Sequence, residues 1–169
     1  MSLEAMQPQQ DRDCDVLVIG AGAAGLAAAV TAARKGLKVI IAEKAPYFGG
    51  TSAVSGGWVW VPCSAQAREA GVVDDIEKAR TYLRGEMGQR YSAAHVDAYL
   101  ETAPKALDFF ARESDLSFEL GPLYADYHPE AAGGMAGGRA LVAKPYDGRK
   151  LGREISRLKP PVPETTFLG

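Results

Sequence analysis

The sequence predicts an α/β fold organised on a parallel βαβ unit of the dinucleotide-binding kind, and three observations predict it. The first is Val16 to Ile19, a continuous β-branched and leucine run of the sort that forms a strand buried on both faces of a parallel sheet. The second is the glycine pattern that follows at once: Gly20, Gly22 and Gly25 fit G-x-G-x-x-G. In that pattern the first glycine permits a tight turn, the second lets backbone approach a pyrophosphate, and the third lets helix pack closely on strand. The helix opened there offers unpaired N–H groups and a partial positive charge to phosphate. The third observation is what comes next: an alanine-rich helix from Leu26 to Lys35, Gly36 where a left-handed C-terminal cap belongs, and a second apolar strand from Leu37 to Ala42 that ends in Glu43. Glu43 stands 23 positions after Gly20, the spacing at which an acid reaches the ribose hydroxyls of an adenosine and disfavours a 2′-phosphate. Together these make a Rossmann-like unit.

Composition narrows the function classes. The chain has 169 residues, 47% hydrophobic and 24% charged, which is ordinary for a globular protein with a sizeable core. A formal net charge of −2 with no basic run excludes nucleic acid as a partner. Two cysteines, Cys14 and Cys63, make neither a disulfide framework nor a metal-ligand spacing, so no metal is expected. Residues 1–13 are polar and read as a flexible leader without the apolar core of a signal peptide. The apolar stretch from Val16 to Val30 is broken by glycines, so no membrane span is expected and the cytoplasm is the expected compartment.

After Glu43 a doubly wound fold would send a crossover helix to a third strand, but Pro46 and four glycines between Lys44 and Gly57 forbid one. This second glycine-rich segment carries Thr51, Ser52 and Ser55. Their hydroxyls, with free backbone groups, suit a phosphate and a ring edge, and hence a cofactor longer than a mononucleotide.

Gly20-Ala-Gly-Ala-Ala-Gly25, Glu43-Lys44 and Gly49-Gly-Thr-Ser-Ala-Val-Ser-Gly-Gly57-Trp58 together resemble the N-terminal part of the flavoproteins that include fumarate reductase, succinate dehydrogenase and the 3-ketosteroid dehydrogenases. The resemblance implies FAD. It places Gly20, Ala24, Glu43, Lys44, Gly50, Thr51, Ser52, Ser55, Gly56 and Gly57 along the cofactor, beside the fingerprint glycines Gly22 and Gly25.

Farther along, Trp58 to Pro62 alternates as a short strand would, and Ala65 to Gly71 reads as a short helix or turn. Asp74 or Asp75 caps a helix whose Ile76, Ala79, Leu83 and Met87 share a face, with Glu77 placed for a capping box on Asp74. Ser92 caps the next, along which Val96, Tyr99, Leu100 and Ala103 line up. Pro104 is expected to end it, leaving Lys105 to Arg112 as a separate helix. These stripes read as core, and His95 is given no role. Leu116 to Leu120 is a weak strand, and Gly121 opens an irregular segment running to Arg139. A loop that long is uncommon unless functional. Its Tyr124, Asp126, Tyr127 and His128 gather amphipathic rings and titratable groups that could face a flat apolar substrate.

That loop, Tyr124-x-Asp-Tyr-His-Pro-Glu-x-x-Gly-Gly134, followed by Gly-Gly-Arg139 and Pro145-Tyr-Asp-Gly-Arg149, resembles the 3-ketosteroid Δ1-dehydrogenase branch more than the dicarboxylate branch, with Ala132 departing from a proline common there. The resemblance implies dehydrogenation beside a carbonyl, with a tyrosine next to the substrate ring, here Tyr127 or Tyr124. The substrate class is a steroid-like ketone, or a dicarboxylate if the fumarate reductase reading holds. Such enzymes are much longer than this chain. Residues 14–169 therefore read as the N-terminal portion of an FAD-binding domain, 14–64 forming the Rossmann unit and flavin loop and 65–169 a helical and loop-rich extension near the substrate. The 169 residues alone are expected to show no turnover, and a non-catalytic nucleotide-binding fragment is the remaining reading.

Overall fold

A computed structural model describes residues 11–165. They form two compact units, one taking the described residues up to Val54 together with those from Ser156 on, the other Ser55–Ile155. The expected leader lies outside the described residues except for its last three, which carry no regular structure.

The first unit is a βαβ unit. Strand β1 (Val16–Ile19), helix α1 (Ala23–Arg34) and strand β2 (Val39–Ala42) follow in order, and the strands pair in parallel with Val16 opposite Val39 and Ile19 opposite Ala42. Helix α1 begins three residues earlier than the sequence suggests, so that Gly25 lies inside its first turn. It ends as expected, with Gly36 at φ +82° and its N–H donating to the Ala33 carbonyl at 2.9 Å. Strand β1 departs from its reading in burial. Val18 is buried, but Ile19 is 76% exposed and Leu17 is exposed too, because among the described residues the sheet in this unit has two strands and α1 covers one face. After β2 there is no crossover helix, only a single 3₁₀ turn at Ser52–Val54. Residues near the far end of the chain return to this unit, where Phe48 pairs with Leu158 in a parallel bridge.

The second unit packs two helices and a short helix around an antiparallel sheet. Strands β3 (Trp58–Trp60), β4 (Phe118–Leu120) and β5 (Ala140–Ala143) lie in the order β3-β5-β4, with helices α2 (Ala65–Glu69), α3 (Ile76–Met87) and α4 (Ala93–Glu113) between them in sequence. The central strand β5 is the one strand the sequence reading leaves unassigned. Two apolar clusters hold the unit: Val61, Leu107 and Leu141 against the sheet, and Ala79, Val96 and Leu100 between α3 and α4. Met87 turns outward from the expected stripe, and Tyr82 is buried in its place.

Two expectations about this unit are corrected. Helix α4 runs without a break from Ala93 to Glu113 with Pro104 inside it. A proline there removes one donor to the carbonyl four residues back and costs about 3 kcal/mol. Burial of Leu100 and Leu107 on either side offsets that loss, since most helix stability in proteins comes from packing. The cap of α3 is Asp75, whose carboxylate accepts from the Lys78 N–H at 2.8 Å, so Glu77 forms no capping box. Asp74 faces inward instead. The loop from Gly121 to Arg139 is irregular as expected, and it is laid against α3, where a Cβ on Gly133 would fall 2.2 Å from the Lys78 carbonyl oxygen.

Candidate functional site

In the first unit the site is made of backbone. Gly20 leaves β1 at φ +96°, a conformation that favours glycine, while its N–H donates to the Ala42 carbonyl at 2.7 Å. A Cβ on Gly25 would lie 2.0 Å from the Gly20 carbonyl oxygen and 3.4 Å from Val18, so the third glycine is what lets helix close on strand. Gly22 is the N-cap of α1, no side chain caps that helix, and its first turn carries no acid. The opening amides of α1 are therefore donors of the kind that anions seek.

The second glycine segment runs against the first. Gly49 donates its N–H to the Ala21 carbonyl at 2.8 Å, and a Cβ on Gly50, at φ +57°, would sit 3.0 Å from Gly22 Cα. Glu43 ties the same turn from the other side: Oε2 accepts from the Ala21 N–H at 2.7 Å and Oε1 from the Ala45 N–H at 2.9 Å. Those donations from Ala45 and Ala21 hold the Glu43 carboxyl below its ordinary range. Each oxygen keeps a further lone pair, so the carboxylate stays able to accept from hydroxyls. Gly20, Gly22, Gly25, Glu43 and Gly50 are thus brought together, with Ala24 exposed in the first turn of α1 and Lys44, Thr51 and Ser52 exposed at the next positions in the chain. Ala21 is the residue that sequence reasoning missed. Only its place between two fingerprint glycines signals it.

In the second unit Ser55 Oγ accepts from the Gly57 N–H at 3.3 Å, and Gly57, at φ +70°, accepts through its carbonyl from Ala143. From there β3 leads into an aromatic cleft of about 360 Å³ lined by Trp58, Val59, Trp60, Tyr82, Leu83, Glu86, Tyr124, Tyr127 and Ala140. Tyr124 stacks on Trp58 with ring centroids 4.1 Å apart and planes inclined by 28°. Tyr127 is 96% exposed against 56% for Tyr124.

The other two members of the loop cluster have different work. Asp126 is buried: it accepts from Trp60 Nε1 at 2.7 Å, from the Met135 N–H at 3.0 Å and from Arg139 Nη1 at 2.9 Å. It is a structural anchor and not a group that faces substrate. Arg139, at 0% exposure, also donates from Nε and Nη2 to both oxygens of Asp74, at 2.8 and 2.7 Å, and lies over the Trp60 and Tyr82 rings. Burial alone would lower its pKa, but the two carboxylates outweigh burial and raise it. His128 Nδ1 meets both oxygens of Glu86, at 2.9 and 3.0 Å, and the His128 backbone N–H donates to the buried Tyr82 hydroxyl. Cys63 stands at φ +54° with its thiol pKa raised by burial and then by Asp74, which makes it a poor nucleophile.

The family profile described as FAD binding domain matches residues 15–167. The chain belongs to the FAD-binding domain family. Over 149 residues it is 44% identical to a 3-oxosteroid 1-dehydrogenase of Mycobacterium tuberculosis, which takes in 88% of this chain and 26% of that relative. Over 156 residues it is 46% identical to a 4-oxocyclohex-2-ene-1-carboxylate 5-dehydrogenase of Sinomonas cyclohexanicum, covering 92% of this chain and 26% of the relative. The crystal structure of a 3-ketosteroid Δ1-dehydrogenase from Sterolibacterium denitrificans in complex with 1,4-androstadiene-3,17-dione superposes with a TM-score of 0.83 at 34% identity, over 90% of this chain and 27% of that one. The chain thus spans about a quarter of the length of these relatives. Its first unit fits the cofactor of the FAD-binding domain family. The two glycine turns lie backbone on backbone, with a Cβ on Gly50 only 3.0 Å from Gly22 Cα, the α1 amides are uncapped by any side chain, and Glu43 is held ionised beside them. No described helix is long and apolar enough to cross a membrane.

Proposed function

We propose that this chain is the cofactor-holding and substrate-facing part of an FAD-dependent dehydrogenase that desaturates the carbon–carbon bond beside a ring ketone, as in the 3-ketosteroid Δ1 type. The observation that carries the reading is the aromatic cleft of the second unit with two tyrosines in its wall. FAD, when bound, supplies the hydride acceptor. Gly20, Gly22, Ala24, Gly25 and Gly50 present backbone to its phosphates, Glu43 accepts from its adenosine ribose, and Lys44, Thr51, Ser52, Ser55, Gly56 and Gly57 line the rest of it. In the cleft, Tyr127 offers its hydroxyl to the substrate ring, while Tyr124, already stacked on Trp58, serves as wall. Asp126 and Arg139 hold Trp60 in place and exclude water beneath it. Both named dehydrogenases among the relatives act on a six-membered ring ketone by name, which supports that substrate class. The free thiols Cys14 and Cys63 support a cytoplasmic setting.

A dicarboxylate substrate is the second reading, and one observation disfavours it. Binding two carboxylates calls for cationic side chains, yet the only charged residue lining the cleft among the described residues is Glu86. The test is an assay of the native, FAD-loaded protein with a 3-ketosteroid and an artificial electron-accepting dye. Desaturation beside the carbonyl is expected; fumarate reduction without it would move the assignment to the dicarboxylate branch.

A further inference from the structure

We propose that Tyr82 is a positioning residue: its buried hydroxyl holds the stretch of backbone that carries Tyr127 and so decides where the Tyr127 ring stands. The inference rests on the ring-ketone reading above, in which Tyr127 meets the substrate, and deepens it. The Tyr127 side chain is 96% exposed, so among the described residues its position is set by its backbone. The residues on either side of it are both anchored. Before it, Asp126 exchanges two bonds with Met135: its N–H donates to the Met135 carbonyl at 2.9 Å, and its Oδ2 accepts from the Met135 N–H at 3.0 Å. After it, the His128 N–H donates to the Tyr82 hydroxyl at 3.3 Å.

Helix α3 supplies the second anchor. Tyr82 and Glu86 stand one turn apart on it, on the face where positions four apart are neighbours, and they take the backbone and the ring of His128 respectively. Burial raises the pKa of the Tyr82 hydroxyl; the His128 amide opposes the rise, the carboxylates of Glu86 and Asp126 add to it, and the Tyr127 amide opposes it again. The oxygen is thus faced by the amides of residues 127 and 128 together, and a neutral hydroxyl has two lone pairs to offer them. The packing of Tyr82 does not call for that oxygen. Its ring lies under the Arg139 guanidinium at 5.9 Å and beside the Trp60 ring at 6.0 Å between centroids, contacts that a phenylalanine would keep. The hydroxyl serves the loop.

The experiment is a double-mutant cycle in the native, FAD-loaded protein, assayed with androst-4-ene-3,17-dione and an electron-accepting dye, on Tyr82→Phe, Tyr127→Phe and the pair. Tyr82→Phe removes only the oxygen, so kcat should fall by about tenfold with KM little changed, within the roughly hundredfold that a misplacement of about 1 Å can cost. In the Tyr127→Phe background the same substitution should lower kcat no further, because the hydroxyl to be positioned is already gone. Hydrogen exchange gives a readout without turnover: the Tyr127 and His128 amides should exchange slowly in the wild type and faster in Tyr82→Phe, while those of α3 hold. Equal falls in kcat in both backgrounds, or wild-type amides at 127 and 128 that exchange at the free-chain rate, overturn this inference alone. A Tyr127→Phe variant as active as the wild type overturns the role of Tyr127 in the ring-ketone reading and this inference with it.

Discussion

The two units reach their order by opposite means. In the first, the decisive groups are side chains that are missing: Gly25 lets α1 close on the Gly20 carbonyl, where a Cβ would fall 2.0 Å from the oxygen, and Gly50 lets its turn lie backbone on backbone against Gly22. In the second, the decisive group is a large charged side chain fully withdrawn from water, Arg139, held by Asp74 and Asp126 and covered by two rings. Glycine patterns are local and exact in spacing. An ion cluster is assembled from distant parts of the chain, and it stabilises only while every partner is present.

The largest expected effect breaks the second half of that comparison. Arg139→Met leaves two buried carboxylates without their cation and should cost about 3–5 kcal/mol. Hydrogen exchange should show β3, β4 and β5 losing protection while β1 and β2 keep theirs. Equal loss in both units would mean that the cluster is not what orders the second one. Next in size is Gly25→Ala, whose Cβ meets backbone at 2.0 Å and should cost about 1–3 kcal/mol by forced displacement. Gly22→Ala sharpens the point, since its Cβ would stand at an ordinary 3.9 Å from Gly50. Urea unfolding should separate the two, with Gly22→Ala near wild type in stability and deficient only in FAD retention. The smallest effect distinguishes neighbours: Asp75→Ala removes the cap of α3 and should lower stability by about 1 kcal/mol. Asp74→Ala should cost several times more because it uncouples Arg139.

This contrast also explains which parts could be read in advance. The βαβ unit was legible because strand, turn, helix and acid follow within thirty residues, and each glycine has a local reason to be there. The Asp74–Arg139 and Trp60–Asp126 contacts join residues 65 and 66 positions apart, and nothing local marks either end. Asp126 therefore looked like a titratable group for substrate when it is an anchor. Pro104 misled for the complementary reason: its local rule holds, but burial of Leu100 and Leu107 overrides it. The different settings of Tyr124 and Tyr127 are likewise closed to the sequence, because they turn on a stacking partner, Trp58, 66 positions upstream of Tyr124.

Glu43 is where the backbone-built site becomes measurable. Its carboxyl is held below its ordinary value of about 4.5 by the Ala45 and Ala21 amides, so the ionised form is favoured by folding. The stability that follows is fully present above pH 4.5 and is lost as the pH falls through the lower, folded value. The most direct measurement is an FAD titration of the apo-protein at neutral pH, followed by flavin absorbance, on wild type and on Glu43→Ala. Loss of the hydrogen bonds to the ribose should weaken FAD by on the order of tenfold or more, leaving the reaction type unchanged. An FAD affinity identical in the two proteins would contradict the assignment of the glycine turns and Glu43 as the cofactor's seat.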